Sequence, residues 1–215
     1  MKEIYEQYIC DLIQSIEIAE PIYVSNLSKK LANNFSLPIN KAVIVTASTL
    51  KRILDSKLIE DLRFYQKGIY YRTRMTPFGE VPINKNAIII DKYIKDDNGY
   101  DSDLSLLHKW GFTTQIPNER VIVTNRITKD IRKSKDLSIT LRKSKLTINK
   151  DNIRYLQILD ILNILDKAPV DVKELYKRIA ELIAMFNLSY EYLLFLASEY
   201  YNENVIGKLT KVLKA

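Results

Sequence analysis

Residues 40–72 read NKAVIVTASTLKRILDSKLIEDLRFYQKGIYYR, and this stretch decides how the first part of the chain folds. Its first half has apolar side chains at intervals of four, three and four residues, as on one buried face of an α-helix. These side chains are Val43, Ala47, Leu50 and Leu54. Its second half has strand patterns at residues 59–63 and 69–72, joined by a turn at residues 65–68. The stretch therefore predicts a helix followed by a β-hairpin.

Two further helices are predicted before this stretch. Residues 3–17 repeat apolar positions at helical spacing, and Pro21 ends that helix or the turn after it. Residues 24–34 predict a second helix, with Ser25 as its candidate N-cap. Three helices followed by a basic hairpin are typical of a winged helix-turn-helix domain. The alternative is a small helical domain with a hairpin and a solvated charged face.

The surface predicted to bind DNA lies on the third helix and the hairpin. On the side of the helix opposite the predicted buried face, basic and short side chains would let the helix enter the major groove. The hairpin adds basic side chains that would contact phosphates. The predicted DNA-binding residues are Lys41, Val45, Ser48 and Arg52 on the helix and Arg63, Lys67 and Arg72 on the hairpin.

The chain of 215 residues has a net charge of +7, and its excess basic charge falls in two blocks. Residues 24–75 contain ten Lys or Arg against three carboxylates, and residues 126–150 contain nine against two. Clustered basic charge is typical of a protein that binds a polyanion. Two solvated basic faces would give the same pattern, so charge alone leaves both interpretations open.

The second basic block predicts a hairpin whose role also has two interpretations. Residues 137–142 alternate between apolar and polar side chains, so Ser138, Thr140 and Arg142 are expected on an exposed face. This basic hairpin is either a second polyanion contact or a charged strand edge that blocks aggregation. The residues of this second basic patch are Arg132, Lys133, Arg142, Lys143 and Lys145.

The middle of the chain predicts a helix over residues 84–95 and a turn at residues 96–99. A short helix follows, capped by Asp101 or Ser102 and ended by Gly111 as a left-handed C′ residue. A buried strand is predicted at residues 121–123.

The C-terminal region predicts helices over residues 152–165, 172–186 and 190–214, with Gly207 as a candidate break in the last. Asp171 and Glu174 resemble a capping box at the start of the second of these helices. Aromatic residues gather in the third, where they form either core or a dimer or partner surface. This aromatic cluster consists of Tyr190, Tyr192, Phe195, Tyr200 and Tyr201.

The predicted fold class is α+β, in two domains. A winged helix-turn-helix occupies residues 1–75, and a second domain occupies residues 76–215. The second domain is mixed α/β over residues 76–150, where it includes the basic hairpin, and helical over residues 151–215.

Few residues are suited to catalysis or metal binding. The chain has one cysteine, Cys10, and one histidine, His108, which excludes a disulfide within the chain and agrees with a reducing cytosol. His108 lies in an apolar helix and is expected to be partly buried and structural. The acidic residues at 96–97 and 101–103 have the sequence of turns and caps. We expect no catalytic site, no metal and no cofactor. Since no apolar run approaches ~18 residues, we expect a cytoplasmic protein that does not enter a membrane.

Five short motifs, in this order, resemble the AbiEi-like antitoxins of type IV, abortive-infection-type toxin–antitoxin systems. The motifs are Gly68-Ile-Tyr-Tyr-Arg72, Thr76-Pro-Phe-Gly79, Gly99-Tyr100, Leu106-Leu107 and Gly111-Phe-Thr-Thr-Gln-Ile-Pro117. The resemblance covers residues 59–126. It implies an N-terminal winged helix that binds the chain's own promoter DNA and a C-terminal region needed for antitoxin activity. It also implies autorepression and protection against a cognate nucleotidyltransferase-like toxin encoded alongside.

Several functional points stay open at the level of sequence. The toxin could be bound directly or countered only functionally, and a homodimer on DNA is one of the oligomeric states that the sequence allows. The rival hypothesis is a protein-interaction module that neutralises a partner enzyme without sequence-specific DNA binding. A third hypothesis is an RNA-binding adaptor.

Overall fold

A computed structural model describes residues 2–215 and gives an α+β fold. The chain divides into two compact units, Met1–Ile88 and Ile89–Ala215. The first unit extends beyond residue 75 because the next hairpin is bonded back to it. The Val81 amide donates to the Arg74 carbonyl at 3.0 Å, and the Asn84 amide donates to the Ala19 carbonyl at 2.7 Å.

The first unit contains three helices and a three-stranded antiparallel sheet. The helices are α1 (Lys2–Gln14), α2 (Val24–Phe35) and α3 (Ile39–Asp55). The strands are β1 (Pro21–Tyr23), β2 (Leu62–Gln66) and β3 (Ile69–Arg72), in the order β1-β3-β2. A two-stranded hairpin follows, made of β4 (Met75–Thr76) and β5 (Gly79–Glu80). The three predicted helices and the hairpin are therefore present, and β1 is an addition that its three residues were too short to signal.

The predicted hairpin turn depends on Gly68. Its φ is +80°, in the left-handed region that favours glycine. Its carbonyl accepts a hydrogen bond from the Val24 amide at 3.0 Å, where β1 passes into α2. The turn therefore also fixes the start of α2.

The prediction of Ser25 as the N-cap of α2 was wrong, because the cap position is Tyr23 and Ser25 lies inside the helix.

The buried face of α3 differs from the predicted one. The predicted Val43 is 41% exposed and Ala47 is also exposed, whereas Leu50 is buried as expected. The observed buried face consists of Ala42, Thr46, Thr49, Leu50 and Ile53. Small and polar side chains occupy the face of α3 that packs on α1 and α2. The prediction placed the buried face on the most apolar stripe of the helix, and these residues do not belong to that stripe.

The second unit is built around a four-stranded mixed sheet. Its strands are β6 (Gly99–Ser102), β7 (Arg120–Thr124), β8 (Ile131–Ser134) and β9 (Ile139–Lys143). The order is β6-β7-β9-β8, with β7 parallel to β9 and the other neighbours antiparallel. Helix α4 (Lys85–Ile89) lies at the end of the first unit and reaches the first residue of the second. One turn of π-helix, Ile90–Ile94, precedes the sheet, and α5 (Asp103–Lys109) follows β6. The β8–β9 pair is the predicted basic hairpin.

Two glycines of the second unit have defined roles. A Cβ at Gly99 would lie 2.2 Å from the Tyr93 carbonyl oxygen, so no other residue fits where the π-helical turn meets the sheet. Gly111 has a φ of +75° and ends α5 as predicted, while the next amide, of Phe112, donates to the Leu107 carbonyl at 2.8 Å.

Four helices complete the second unit and form most of its hydrophobic core. They are α6 (Ile153–Ile164), α7 (Leu175–Met185), α8 (Tyr190–Tyr200) and α9 (Glu203–Leu213). The predicted break at Gly207 was wrong, because Gly207 lies within α9. The chain breaks instead before Asn202, whose side chain accepts a hydrogen bond from the Val205 amide at 3.2 Å and caps α9.

Asp171 does not form the predicted capping box. Its carboxylate accepts hydrogen bonds of 2.7 Å from both the amide and the hydroxyl of Thr114. Glu174 has a φ of +53° and makes no side-chain cap. Asp171 therefore connects the segment before α7 to the loop after α5, a long-range contact that local spacing does not reveal.

Within the described residues, no single helix is long and apolar enough to cross a membrane. Helices α7 and α8 reach such a composition only as a pair, which is bent by 113°.

Candidate nucleic-acid interface

The solvent-facing side of α3 presents a continuous exposed strip. Because a helix repeats every 3.6 residues, the face opposite Ala42 and Ile53 is centred on Ile44, Ser48 and Lys51. We call this the α3 outer face. Its members are Asn40, Lys41, Ile44, Ala47, Ser48 and Lys51, all of them exposed. Asp55 lies one turn beyond Lys51, at the end of the helix.

The α3 outer face combines cations with an exposed apolar side chain. Ile44 is 70% exposed, and it lies between Lys41 and Lys51 along the helix. Neither lysine forms an ion pair or a side-chain hydrogen bond within residues 2–215. Two cations about 15 Å apart, ten residues along a helix, can reach two separate anionic groups.

The predicted helix residues divide between this outer face and its flank. Lys41 and Ser48 belong to the outer face, with the Ser48 hydroxyl donating to the Val45 carbonyl at 3.0 Å. Val45 is half-buried against the core of the first unit. Arg52 lies on the flank, where its guanidinium forms an ion pair with Glu6 of α1. The structure therefore does not bring the four predicted residues together on one free surface.

The predicted arginines of the hairpin also have carboxylate partners. Arg63 donates to Glu80 of β5 at 2.5 Å, and this hydrogen bond holds the pKa of Glu80 below its usual range. Arg72 donates to Asp61 at 2.8 and 2.9 Å and to the Gln14 carbonyl at 2.9 Å. Both arginines thus connect separate elements of the first unit.

Lys67 is the predicted hairpin residue that stays available. It is exposed in the β2–β3 turn, and in the described part of the chain its ammonium has no ion-pair partner. Arg74, just after β3, is exposed in the same way. Of the residues predicted on the hairpin, Arg63 and Arg72 therefore hold elements of the first unit together, whereas Lys67 faces solvent.

The second basic patch is divided between the two faces of its sheet. Directly paired residues of neighbouring strands share a face, and side chains alternate along each strand. Arg142 pairs with Ile131 and Thr140 pairs with Lys133, which places Arg142 and Lys133 on one face. Arg132 pairs with Leu141 and therefore shares the other face with Lys143. Lys145 lies beyond the end of β9.

Ser138 is exposed as predicted, but the exposure expected for Thr140 and Arg142 was wrong. Thr140 is 8% exposed and donates to Glu119 at 2.5 Å. Arg142 is half-buried and donates to Asp103 at 2.6 Å. The reason is that α6 packs over this face of the sheet. Residues from the sheet, from α6 and from the chain before α6 form one apolar cluster there, made of Tyr100, Val123, Ile148 and Leu156.

The residues considered for chemistry are separated from one another. His108 is exposed in the last turn of α5, not partly buried as expected. Burial, together with the nearby carboxylates of Glu6 and Asp11, raises the pKa of the Cys10 thiol. Asp101 is buried and bound to Arg120 at 2.5 Å, so it acts as an ion-pair partner and not as a cap. Among residues 2–215, no three His, Cys, Asp or Glu side chains are grouped to hold a metal ion.

Sequence reasoning missed Ile44 and Lys51 because it assigned the wrong phase to α3. The signal that identifies them is the set of small and hydroxyl residues at positions 42, 46 and 49, which marks a closely packed helix face. Comparison of the chain with protein-family models and with curated proteins gives no match.

Proposed function

We propose that this protein is a DNA-binding antitoxin that represses its own operon, with a winged helix as its DNA-binding domain. The observation that carries the proposal is the α3 outer face, a cationic strip without ion-pair partners among the described residues. The element order α1-β1-α2-α3-β2-β3, with the sheet order β1-β3-β2, supports the winged-helix assignment. In such a domain α3 is the recognition helix and the β2–β3 turn is the wing.

The α3 outer face supplies the contacts that recognition in the major groove needs. Lys41 and Lys51 bind phosphates on either side of the groove, because their ammonium groups are unpaired and separated along the helix. The Ser48 hydroxyl hydrogen-bonds to a base edge, and the exposed Ile44 side chain contacts a thymine methyl group. Lys67, in the turn of the wing, binds the neighbouring phosphate backbone.

The paired arginines have a supporting role in this proposal. Arg52 holds α3 against α1 through Glu6, and Arg63 and Arg72 hold the hairpin against its neighbours. These contacts fix the recognition helix and the wing relative to each other. A contact surface that is fixed before binding loses less conformational entropy when DNA binds.

The antitoxin part of the proposal rests on the resemblance of residues 59–126 to the AbiEi-like antitoxins. In that family the second region counters a nucleotidyltransferase-like toxin encoded alongside. We place the protein in the cytoplasm, where its promoter DNA and the toxin are found, and we include a homodimer on DNA as its binding form.

A gel-shift assay on the DNA upstream of the chain's own reading frame tests the proposal. The replacement of Lys41, Lys51 and Lys67 by alanine should abolish the shift at physiological salt. The matched control replaces Lys150, Lys167 and Lys173, three exposed lysines of the second unit, and removes the same charge. The absence of any shift with the native protein, or an equal loss in both variants, would contradict DNA binding. Competition with RNA in the same assay distinguishes DNA binding from the RNA-adaptor hypothesis, because an RNA-binding adaptor would lose its DNA shift to RNA.

A second candidate function is the direct capture of a partner enzyme without sequence-specific DNA binding. It is favoured by the exposed apolar side chains near the predicted aromatic cluster. Leu194 and Phe195 of α8 are 45% and 54% exposed, and Met185 at the end of α7 is 66% exposed. Surface of this kind is typical of a protein interface. Co-purification of the neighbouring gene product with the native chain, lost on Phe195→Asp, would support capture. Protection from toxicity without any complex would count against it.

A further inference from the structure

The second unit contains a hydrogen-bonded cluster around Asp160 that the proposed function does not use. The Asp160 carboxylate, on α6, accepts hydrogen bonds from three hydroxyl groups. They belong to Ser102 at 2.6 Å, Tyr201 at 2.8 Å and Tyr100 at 3.2 Å. The three donors come from β6 and from the break between α8 and α9. The cluster therefore holds three parts of the unit together around one carboxylate.

The hydroxyl groups in this cluster remain protonated donors. Burial and the adjacent Asp160 charge raise the pKa of Tyr100 and of Tyr201 far above the usual tyrosine range. With three donors directed to it, the Asp160 carboxylate is already satisfied within the protein. Its negative charge remains, and the Arg142 and Lys145 side chains are the cations that lie near it.

A pocket opens beside the cluster, and its charged lining is mainly cationic. Arg142 and Lys145 line it together with Ser144 and Asn163, and Lys143 borders it although its side chain belongs to the opposite face of the sheet. Asp160 is the carboxylate among the lining residues, and its hydrogen bonds are taken up as described. The pocket volume is about 100 Å³, the space of roughly three water molecules. A single phosphate group fits in that volume.

The two principal cations have hydrogen-bonding capacity left for a ligand. One terminal nitrogen of Arg142 donates to Ser102 at 2.8 Å and to Asp103 at 2.6 Å, whereas the other terminal nitrogen has no hydrogen-bond partner within residues 2–215. The Lys145 ammonium lies 3.7 Å from the centre of the Tyr201 ring and forms no ion pair with a described carboxylate. A guanidinium N–H group and an ammonium without an acceptor can donate charge-assisted hydrogen bonds to an anion in the pocket.

We propose that this pocket binds one phosphate group, held by Arg142 and Lys145 and supported by the Asn163 side chain. A guanidinium and an ammonium on one small cavity are the side chains that proteins use to bind phosphate. The group belongs either to a small phosphorylated molecule or to the 5′ end of a nucleic acid. The site lies wholly within the second unit and does not depend on DNA binding by α3.

Isothermal titration calorimetry of the full chain in chloride buffer tests the site with four probes. These are inorganic phosphate, AMP, and one short oligonucleotide with and without a 5′-phosphate. The native protein should bind phosphate and AMP, or the phosphorylated oligonucleotide in preference to the unphosphorylated one. Binding of phosphate and AMP would identify the ligand as a small phosphorylated molecule. A preference for the phosphorylated oligonucleotide would identify it as the 5′ end of a nucleic acid. Lys145→Met keeps the apolar stem and should weaken binding about tenfold or more.

Two further variants keep the test decisive. Arg142→Lys should also weaken binding, and circular dichroism with thermal unfolding reports whether that variant is folded. Lys135→Ala, an exposed lysine in the β8–β9 turn outside the pocket, should leave binding unchanged. The proposal is overturned if no probe binds to the native protein at millimolar concentration. It is also overturned if Lys145→Met binds as well as the native protein does, or if Lys135→Ala weakens binding as much.

Discussion

The Arg52 guanidinium of α3 forms an ion pair with the Glu6 carboxylate of α1. Arg52 lies directly after Lys51, which has no such partner among the described residues. Two adjacent cations of one helix therefore differ in their availability to a ligand, and the sequence alone does not distinguish them. The structure assigns Arg52 to the support of α3 and Lys51 to its outer face.

Substitution of these two residues should separate support from DNA contact. Lys51→Ala should reduce the salt dependence of DNA binding by about one phosphate contact. Arg52→Ala should lower the free energy of unfolding by only about 0.2–1 kcal/mol, because the ion pair is partly exposed. Fluorescence anisotropy and urea denaturation measure the two effects. A loss of about 1–3 kcal/mol in DNA binding on Arg52→Ala, confined to one base pair, would instead mean that Arg52 reads a base.

Ile44 should contribute to sequence recognition and not to folding. Because its side chain is 70% exposed, Ile44→Ala should leave the free energy of unfolding almost unchanged. In the complex, loss of its contact with a thymine methyl should cost on the order of 0.8 kcal/mol per methyl-sized group. A double-mutant cycle measures this, with deoxyuridine replacing thymidine at each position of the operator. If no single replacement is coupled to Ile44→Ala, Ile44 does not contact a thymine methyl.

Asp160→Ala should destabilise the second unit. It leaves the buried hydroxyls of Tyr100 and Ser102 without their acceptor, and each such loss typically costs about 1–3 kcal/mol. Asp160→Asn keeps one acceptor oxygen and should cost less. Urea denaturation gives the comparison, with the exposed Glu199→Ala as a control. Equal stability of the Asp160→Ala and Glu199→Ala proteins would show that the cluster does not stabilise the unit.

Asp171 should make the free energy of unfolding of the second unit decrease as the pH falls into the acidic range. Hydrogen bonds from the amide and hydroxyl of Thr114 hold the pKa of Asp171 below its usual value. Its contribution is therefore fully present above about pH 3.9, the ordinary carboxyl pKa, and is lost as the pH falls through the lower pKa of the folded protein. The difference in unfolding free energy between the native protein and Asp171→Asn should shrink below that pH. A difference that stays constant down to pH 2 would exclude this role, and Thr114→Val should reduce the difference at neutral pH.

The elements of the first unit could be predicted because their signals are local. Periodic apolar residues gave α1 and α2, and Gly68 between two strand patterns gave the hairpin. The face of α3 could not be predicted in the same way. Its buried stripe contains Ala42 and Thr46, whose burial depends on how closely α1 and α2 approach and not on their own hydropathy.

The second unit was less predictable because its decisive contacts are distant in sequence. The parallel pairing of β7 with β9 and the bond from Thr114 to Asp171 join segments that no local pattern relates. Arg142 was expected to face solvent because it alternates with apolar residues along its strand. This alternation does not show that α6 covers the face on which Arg142 lies. The pocket that we propose binds phosphate depends on the same coverage, since Asp160 and Asn163 reach it from α6.

The most direct measurement of the central claim is the salt dependence of binding to the chain's own upstream DNA. We expect the logarithm of the binding constant to fall steeply and linearly with the logarithm of salt concentration. Replacement of Lys41, Lys51 and Lys67 by alanine should reduce that slope by about three units, at roughly 0.9 per phosphate contact, whereas the Lys150, Lys167 and Lys173 control should keep it. A slope that is the same for the native protein and for the Lys41, Lys51 and Lys67 variant would contradict the assignment of the α3 outer face and the wing as the DNA-binding surface.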